Sequence, residues 1–293
     1  MKKTLVIGNC QVGGIADSLR LLIPGLSVEM HVVTHQGRAI SEELKKYSKQ
    51  NYEVVVIHEP IAASLEDEAE VLYEMAARVV KIPVITFSAF HPDIIYAFQQ
   101  NQVVKNGLDS DWNSRIVMLS YLAGLSQQDT YSLFRFEVFE SLGYLNEWTS
   151  SVVDLTVSFT SCHMDHSRWL RAVQRSGTFM YGINHPSQLA LSELAFQVAE
   201  KIAEKSVEAV ADLHKLTKDH LAHIVWPVYP EISAHLGVQG SYHWRVGDDY
   251  ANLMQFIDRS YRKWDKIQLR TEGCQFVPSI SKEHTEGLKD FWG

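Results

Sequence analysis

The chain has 293 residues, 46% of them hydrophobic and 21% charged, which is enough apolar sequence to bury a core and argues against a disordered protein. The formal net charge is −8 and no block of Lys and Arg interrupts it, so the composition argues against a nucleic-acid partner bound through its phosphates. The three cysteines, Cys10, Cys162 and Cys274, are too few and too widely spaced for a disulfide framework, and they fit a reducing compartment.

The amino-terminal segment resembles the start of a signal peptide but is too short to be one. Two lysines precede an apolar run over residues 4–7, whereas a secretory signal needs about seven or more apolar residues. No stretch approaches the roughly 20 apolar residues of a membrane helix. We therefore expect a cytoplasmic protein without a membrane span.

The first hundred residues alternate between strand and helix patterns. Short β-rich apolar runs predict strands at residues 4–7, 28–33, 54–57 and 84–87. Apolar residues at helical spacing predict helices over residues 12–23, 42–47 and 65–79, and Pro24-Gly25 ends the first of them. Strands joined by helical crossovers form βαβ units, so we predict an α/β fold with a parallel sheet in three layers.

The rest of the chain is expected to be mostly helical. Residues 92–160 are rich in aromatic side chains and predict a cap of short helices, and a last strand at 178–181 precedes an amphipathic helix that starts near Ser187. Residues 205–264 predict further helices with a break at 227–247. The predicted organisation is an α/β core over residues 1–204, with the cap inserted at about 92–160, and a helical extension over 205–293 packed on that core.

The turn after the first strand carries the clearest chemical feature, the sequence Gly8-Asn9-Cys10-Gln11-Val12-Gly13-Gly14. Ligands bind outside the carboxyl ends of strands in open parallel sheets, and a helix N-terminus stabilises a thiolate or an oxyanion. We expect Cys10 to be a nucleophile with a pKa below about 8.5, and the two glycines to let a ligand approach the backbone closely. The alternative is a tight turn with an inert thiol.

His185 is the second candidate catalytic residue. It lies in Tyr181-Gly182-Ile183-Asn184-His185-Pro186-Ser187, between the last predicted strand and the helix that follows. An imidazole beside a thiol activates a cysteine nucleophile and suits acid–base chemistry near neutral pH. A histidine before proline can instead be a capping residue. We predict that Cys10 and His185 lie side by side at the carboxyl edge of the sheet.

Smaller features share that edge. His35, Gly37 and Arg38 follow the second predicted strand, His58 follows the third and His91 follows the fourth, either as substrate contacts or as ordinary loop residues. The segment Cys162-His163-Met164-Asp165-His166 has metal-ligating residue types without the ligand number of a zinc site, so we expect a helix start there and no metal. Arg168, Arg171 and Arg175 then form a basic strip that suits phosphates, or a solvated helix face.

The sequence resembles the WcbI family, which is named for a capsular-polysaccharide biosynthesis protein considered to be an acetyltransferase. The resemblance is carried by Gly8-Asn9-Cys10-Gln11, by Asn184-His185-Pro186-Ser187 and, more loosely, by residues 226–240, and it runs from about residue 3 to about 264. It implies coenzyme A or acetyl-coenzyme A as a ligand. The expected coenzyme contacts are Gly8, Asn9, Gln11, Gly13 and Gly14 of the turn, with Arg38, Arg168 and Arg171 near the phosphates.

The family is related in organisation to the SGNH (GDSL) esterases and acyltransferases, whose sheet is flavodoxin-like. Those enzymes place a serine after the first strand and a histidine before the last helix, where this chain has Cys10 and His185. They also place an aspartate three residues before the histidine, and this chain has Gly182 there. The resemblance therefore implies a Cys–His dyad, or a third member from another loop. The oxyanion and substrate contacts implied at this edge are Gly37, His58, His91 and Asn184.

These observations predict an acyltransferase that moves an acetyl group from acetyl-coenzyme A to a sugar hydroxyl of a polysaccharide precursor. Two alternatives stay open at this point. One is a hydrolase of esters or thioesters that uses the same cysteine and histidine. The other is a module without catalytic activity that binds a sugar or a coenzyme.

Overall fold

The fold is given by a computed structural model, which describes residues 3–33, 38–48, 50–65, 68, 70–269, 274–279 and 291. Its helices are α1 (Val12–Leu22), α2 (Arg38–Leu44), α3 (Glu59–Ser64), α4 (Glu70–Met75), α5 (Arg115–Leu122), α6 (Gln127–Ser132), α7 (Phe136–Ser141), α8 (Glu147–Ser161), α9 (His166–Gln174), α10 (Gln188–Ala203), α11 (Leu213–Leu216), α12 (Pro230–Leu236) and α13 (Leu253–Lys266). Its strands are β1 (Lys3–Gly8), β2 (Ser27–Val32), β3 (Tyr52–His58), β4 (Ala76–Ile82), β5 (Ile94–Gln99), β6 (Gln102–Val104), β7 (Trp112–Ser114), β8 (Met180–Gly182), β9 (His185–Pro186), β10 (Ile224–Val225), β11 (His243–Val246), β12 (Asp249–Asn252) and β13 (Cys274–Val277).

The described chain divides into two compact units that interleave along the sequence. Unit 1 comprises Met1–Thr86, Val152–Met180 and His185–Ala222, and unit 2 comprises Phe87–Ser151, Tyr181–Asn184 and His223–Gly293. These units are groups of residues that pack compactly together, whereas the boundary expected near residue 204 separates the α/β core from a C-terminal extension. That boundary stays a prediction.

Unit 1 is built on a four-stranded parallel sheet with the order β2-β1-β3-β4. The register places Val6 of β1 beside Met30 of β2 and Val56 of β3. Every residue at positions 4–8 and 54–58 is buried, which explains why these two central strands are apolar without alternation. The predicted α/β class with a parallel sheet is confirmed, and the three-layer arrangement stays a prediction.

Helices cover this sheet and fill its core. Leu5, Ile7, Val55 and Ile57 form a buried cluster with side chains of α2, α3 and α4. Helices α1 and α10 pack against each other, and α1 contacts β1 and β2 while α10 contacts β4. The predicted helix after Ser187 is confirmed as α10, in which Leu191, Leu194 and Val198 are buried.

The fourth strand of the sheet lies at a different place from the prediction. Helical spacing predicted a helix through residue 79 and a strand at 84–87, but α4 ends at Met75, β4 follows directly, and residues 83–88 have no regular structure. The segment after Met75 contains Val79, Val80 and Ile82, and β-branched residues favour a strand that can pair with β3. The strand predicted at 178–181 is the short β8, which is not part of the parallel sheet.

Unit 2 contains antiparallel strands where the sequence predicted helices. Strand β5 pairs with β6, β7 and β13, and β11 pairs with β10 and β12. The helices expected over much of residues 94–114, at 224–225 and at 249–252 are therefore wrong, whereas β11 lies within the break predicted at 227–247. The β5–β6 hairpin turns at Gln100 and Asn101, which both have positive φ (51° and 62°). The usual sequence signal for such a turn is Asn-Gly or Asp-Gly, and its absence hid the hairpin.

Asp93 organises the core of unit 2. Its carboxylate accepts hydrogen bonds from the hydroxyls of Tyr144 (2.8 Å) and Tyr229 (2.7 Å) and from the backbone N–H of Ile116 (3.0 Å). Burial raises the pKa of the Asp93 carboxyl, and these donors act in the opposite direction. These hydrogen bonds connect the first turn of α5 to Tyr144, which follows α7, and to Tyr229, which precedes α12. The Asp93 carboxyl therefore has a structural role.

Helix α13 agrees with its predicted apolar stripe. It begins with a capping box between Asn252 and Gln255, and it buries Leu253, Ile257 and Trp264. The residue expected to start the stripe, Tyr250, lies in β12 instead and is 62% exposed. The capping box explains why the helix begins only after it.

Candidate active site

The turn after β1 is held by His58, at the end of β3. The backbone N–H of Asn9 donates to Nδ1 of His58 (3.1 Å), so the proton of the neutral ring is assigned to Nε2. A Cβ atom at position 8 would overlap the His58 ring, which explains the glycine there. His58 is completely buried, and burial lowers its pKa to about 3. The His58 ring therefore stays neutral and supports the turn by accepting the hydrogen bond from Asn9.

Asn9 and Gln11 complete the support of this turn. The side-chain oxygen of Asn9 accepts a hydrogen bond from the backbone N–H of Gln11 (3.0 Å). The backbone carbonyl of Asn9 accepts one from the backbone N–H of Val12 (3.2 Å). The buried side-chain amide of Gln11 donates to the carbonyl of Ile85 (2.8 Å) and accepts from the N–H of Ile85 (3.1 Å). Both side chains were predicted to contact a coenzyme, and these hydrogen bonds give them a role within the protein.

Cys10 is the exposed residue of this turn. The surrounding protein desolvates the thiolate and raises the pKa of Cys10, while a hydrogen bond with its own backbone acts in the lowering direction. The expected low pKa is therefore wrong, because loss of solvation outweighs that hydrogen bond. A thiol with a raised pKa needs a base to remove its proton before it can attack.

Helices α1 and α10 run parallel with their N-termini adjacent. Gly14 packs against Gln188, whose side-chain amide donates to the Gly14 carbonyl (3.1 Å), and one turn later the hydroxyls of Ser18 and Ser192 lie 3.1 Å apart. Cys10 comes four residues before Gly14. His185 comes three residues before Gln188 and is partly buried in β9. The pairing of the Cys10 and His185 side chains stays a prediction.

The two glycines of the turn make room for the protein itself. A Cβ atom at position 14 would overlap Gln188, and one at position 13 would lie 3.2 Å from the ring of His220. The space that a side chain at these two positions would occupy is therefore filled by His220 and Gln188 of unit 1. The expectation that Gly13 and Gly14 clear this space for a ligand is wrong.

Sequence reasoning missed the segment that holds the two helix N-termini. Nε2 of His220 lies 2.7 Å from Oδ2 of Asp17 on α1. The neighbouring Asp219 accepts a hydrogen bond from the backbone N–H of Gln188, the first residue of α10 (3.1 Å). No local motif marks Asp219 or His220, because their partners lie far away in the sequence.

The arginines expected near coenzyme phosphates have different surroundings. Arg168 and Arg171 on α9 are both exposed, and Arg168 forms a two-point ion pair with Glu200 (2.7 and 3.3 Å). The predicted helix start is confirmed, since the side chain of Asp165 caps α9. Arg38 begins α2, and its side chain lies outside the described part of the structure, as do His35 and Gly37.

Two further candidates belong to unit 2. His91 is buried, its Nε2 lies 3.0 Å from the carbonyl of Trp226, and burial lowers its pKa to about 3. Asn184 donates to the hydroxyl of Tyr96 (3.0 Å). His91 does not follow a strand of the parallel sheet as predicted, because β4 ends at Ile82. These contacts favour structural roles for both residues.

Within the described ranges, no three His, Cys, Asp or Glu side chains are grouped so that they could hold a metal ion. Over the same part of the chain, no helix has both the length and the apolar character that crossing a membrane requires.

The fold and the site define an α/β protein that presents an exposed cysteine between the first strand of a parallel sheet and the first helix. The family model described as polysaccharide biosynthesis enzyme WcbI matches residues 3–205, which is more than half of the chain. The chain therefore belongs to the WcbI family of polysaccharide biosynthesis enzymes. No curated protein and no solved structure matches it. The matched range contains Cys10 and His185 and ends before Asp219 and His220.

Proposed function

We propose that the protein is an acyltransferase that moves an acetyl group from acetyl-coenzyme A to a sugar hydroxyl of a polysaccharide precursor. The observation that carries this proposal is the parallel packing of α1 and α10, which brings together the helix N-termini that follow Cys10 and His185. Membership of a polysaccharide biosynthesis family supports a saccharide acceptor.

In this proposal His185 is the base that the raised pKa of Cys10 requires. His185 takes the thiol proton while the sulfur attacks the thioester carbon, and the bond to the coenzyme sulfur breaks. The proton passes to the leaving coenzyme thiolate. The sugar hydroxyl then attacks the acetyl carbon and His185 takes the hydroxyl proton. The bond between that carbon and the Cys10 sulfur breaks, and His185 returns the proton to the sulfur. Exchange between two thioesters costs little free energy, which suits a cysteine to the first step.

The proposed coenzyme approaches Cys10 from solvent. The side chains of Asn9 and Gln11 and the space above Gly13 and Gly14 are occupied by contacts within unit 1. This leaves the exposed thiol as the point of contact with the thioester, and Arg171 as the arginine of α9 that forms no ion pair within the described chain. Arg168 would have to leave Glu200 before it could bind a phosphate.

Asp219 and His220 act as positioning residues in this proposal. His220 contacts the first turn of α1 and pairs with Asp17, while Asp219 binds the first N–H of α10. The pair of adjacent residues therefore fixes the spacing of two helix ends, one preceded by the nucleophile and the other by the base. Placement of reacting groups to within a fraction of an ångström is what makes such a pair effective.

Intact mass spectrometry tests the proposal. We expect one acetyl group on the protein after mixing with acetyl-coenzyme A, none on Cys10→Ser, and much slower labelling of His185→Ala. Cys274→Ser is the matched control and should be labelled like the natural sequence. Release of acetate without an acceptor would favour the hydrolase, and bound coenzyme without any acyl chemistry would favour the binding module.

A further inference from the structure

A cavity of about 570 Å³ opens in unit 1 beside β4. Strand β4 forms one wall, and α4 and the C-terminal ends of α8 and α10 contribute the others. Because β3 lies between β4 and β1, the cavity is two strands away from the strand that leads to Cys10. None of its described lining residues belongs to the Cys10 turn. Its volume suits a small organic ligand.

The lining is basic in a protein whose net charge is −8. Arg78, Lys81 and Lys201 line the cavity, and no carboxylate stands among the described lining residues. Arg78 is already engaged, since its guanidinium donates to the carbonyl of Lys201 (2.8 Å) and pairs with Glu204 (3.2 Å). Within the described chain, the ammonium groups of Lys81 and Lys201 form no ion pair. A cavity lined by positive charges attracts anions.

The inner wall of the cavity is apolar, and one aromatic side chain lies at its rim. Leu72, Val80 and Cys162 are buried there. Burial raises the pKa of the Cys162 thiol to about 11, which keeps it neutral. The hydrogen bond with Ser161 and the charges of Lys81 and Lys201 lower this pKa, and the nearby carboxylate of Glu59 raises it. At the rim, Tyr73 is 70% exposed. An exposed ring of this kind offers a face on which a planar group can stack.

We propose that this cavity binds a nucleotide, with its phosphates between Lys81 and Lys201 and its base on Tyr73. A lysine ammonium is a compact point charge that binds a phosphate, and the arginine here, which could bind either a phosphate or a carboxylate at two points, is already paired. A base that stacks on an aromatic side chain gains affinity whatever its identity. The buried apolar wall suits the sugar ring and the base edge, and it distinguishes this site from a surface patch for simple anions.

Calorimetric titration of the full chain with uridine diphosphate tests the site. A pyrimidine nucleotide is chosen because coenzyme A itself contains an adenosine diphosphate group and is expected at Cys10. We expect saturable binding that weakens by about tenfold or more in Lys81→Ala and in Lys201→Ala, and that also weakens in Tyr73→Ala. Lys215→Ala, at an exposed lysine of unit 1 outside the cavity, should bind like the natural sequence. Cys10→Ser should also bind normally, which separates this test from that of the acyl transfer.

Three results would overturn the proposal. One is no binding of uridine diphosphate at about 5 mM, well above the millimolar affinity of a weak site. The second is binding by both lysine variants that is as tight as binding by the natural sequence. Thermal midpoints check that the variants fold, and Lys81→Gln is the substitute should Lys81→Ala not fold. The third is inorganic phosphate binding as tightly as the nucleotide, together with no effect of Tyr73→Ala, which would mean a simple anion site.

Discussion

Unit 1 and unit 2 both contain a histidine next to a buried segment, and they use it differently. In unit 1, His58 accepts a hydrogen bond from Asn9 and thereby supports a turn whose next residue, Cys10, is exposed. In unit 2, His91 and Asp93 are buried, and their hydrogen bonds go to groups within that unit. The comparison teaches that a buried histidine supports a candidate site only where the polar groups around it leave another side chain open to solvent.

The largest expected effect comes from removing the exposed thiol. Cys10→Ser should lower acetyl transfer by about 10³-fold or more, because a serine hydroxyl is a far weaker nucleophile in this setting. Its free energy of unfolding should change by less than about 1 kcal/mol, as for other exposed positions. Asp93→Asn in unit 2 should show the reverse pattern. It should lower the free energy of unfolding, measured with urea, and leave acetyl transfer by the folded protein largely unchanged. Full transfer by Cys10→Ala would reduce the cysteine to a turn residue.

Gly8→Ala should destabilise unit 1 by about 3 kcal/mol, because the new Cβ would overlap both the His58 ring and the Val12 side chain. Urea unfolding measures the change. A double-mutant cycle with His58→Ala supplies the control, since the two changes should be strongly non-additive if the overlap is the cause. A cost below about 1 kcal/mol would show that the turn can shift and that His58 does not fix it.

Acid should destabilise both units through their buried histidines. The folded pKa values of His58 and His91, about 3, lie below the ordinary value of 6.5, so the unfolded chain binds more protons between these limits. Stability should therefore fall as pH drops below about 6.5, by up to about 1.4 kcal/mol per pH unit for each histidine. The raised pKa of Asp93 acts in the opposite sense, because it contributes stability that is lost as pH rises.

Urea unfolding at several pH values between 7 and 4 measures this dependence. His58→Gln and His91→Gln should each make the profile shallower, and Asp93→Asn should make it steeper. A profile that does not change in either histidine variant would show that these rings are solvated in the folded protein.

The smallest expected effect concerns the positioning residues. His220→Asn and Asp17→Asn should each lower kcat by about tenfold with little change in KM, because they loosen the spacing of the two helix ends. They should also slow alkylation of Cys10 by iodoacetamide, a measurement that does not depend on transfer activity. Arg20→Ala is the control, since Arg20 contacts the other oxygen of Asp17 and leaves the His220 contact in place. Unchanged kcat and alkylation in both variants would remove these residues from the mechanism.

The sequence was most informative where a local pattern fixes the structure. Buried central strands must be apolar throughout, and this predicted β1 and β3. Pro24-Gly25 marked the end of α1, Asp165 the start of α9, and the apolar spacing of α10 gave its buried face. The same reasoning placed Cys10 in a turn between a strand and a helix. It failed for β4, because Val79 and Val80 fit a helix by spacing and a strand by propensity, and pairing with β3 decided between them.

Sequence alone therefore determined the α/β class, the family resemblance and the cysteine-bearing turn, since each depends on residues that are neighbours in the chain. The tertiary structure decided the surroundings of that turn. His220 and Asp17 are 203 residues apart in sequence, so no local signal could pair them. The pKa of Cys10 is raised where the helix N-terminus alone predicted a lower value, because desolvation depends on every atom that folding brings near the sulfur.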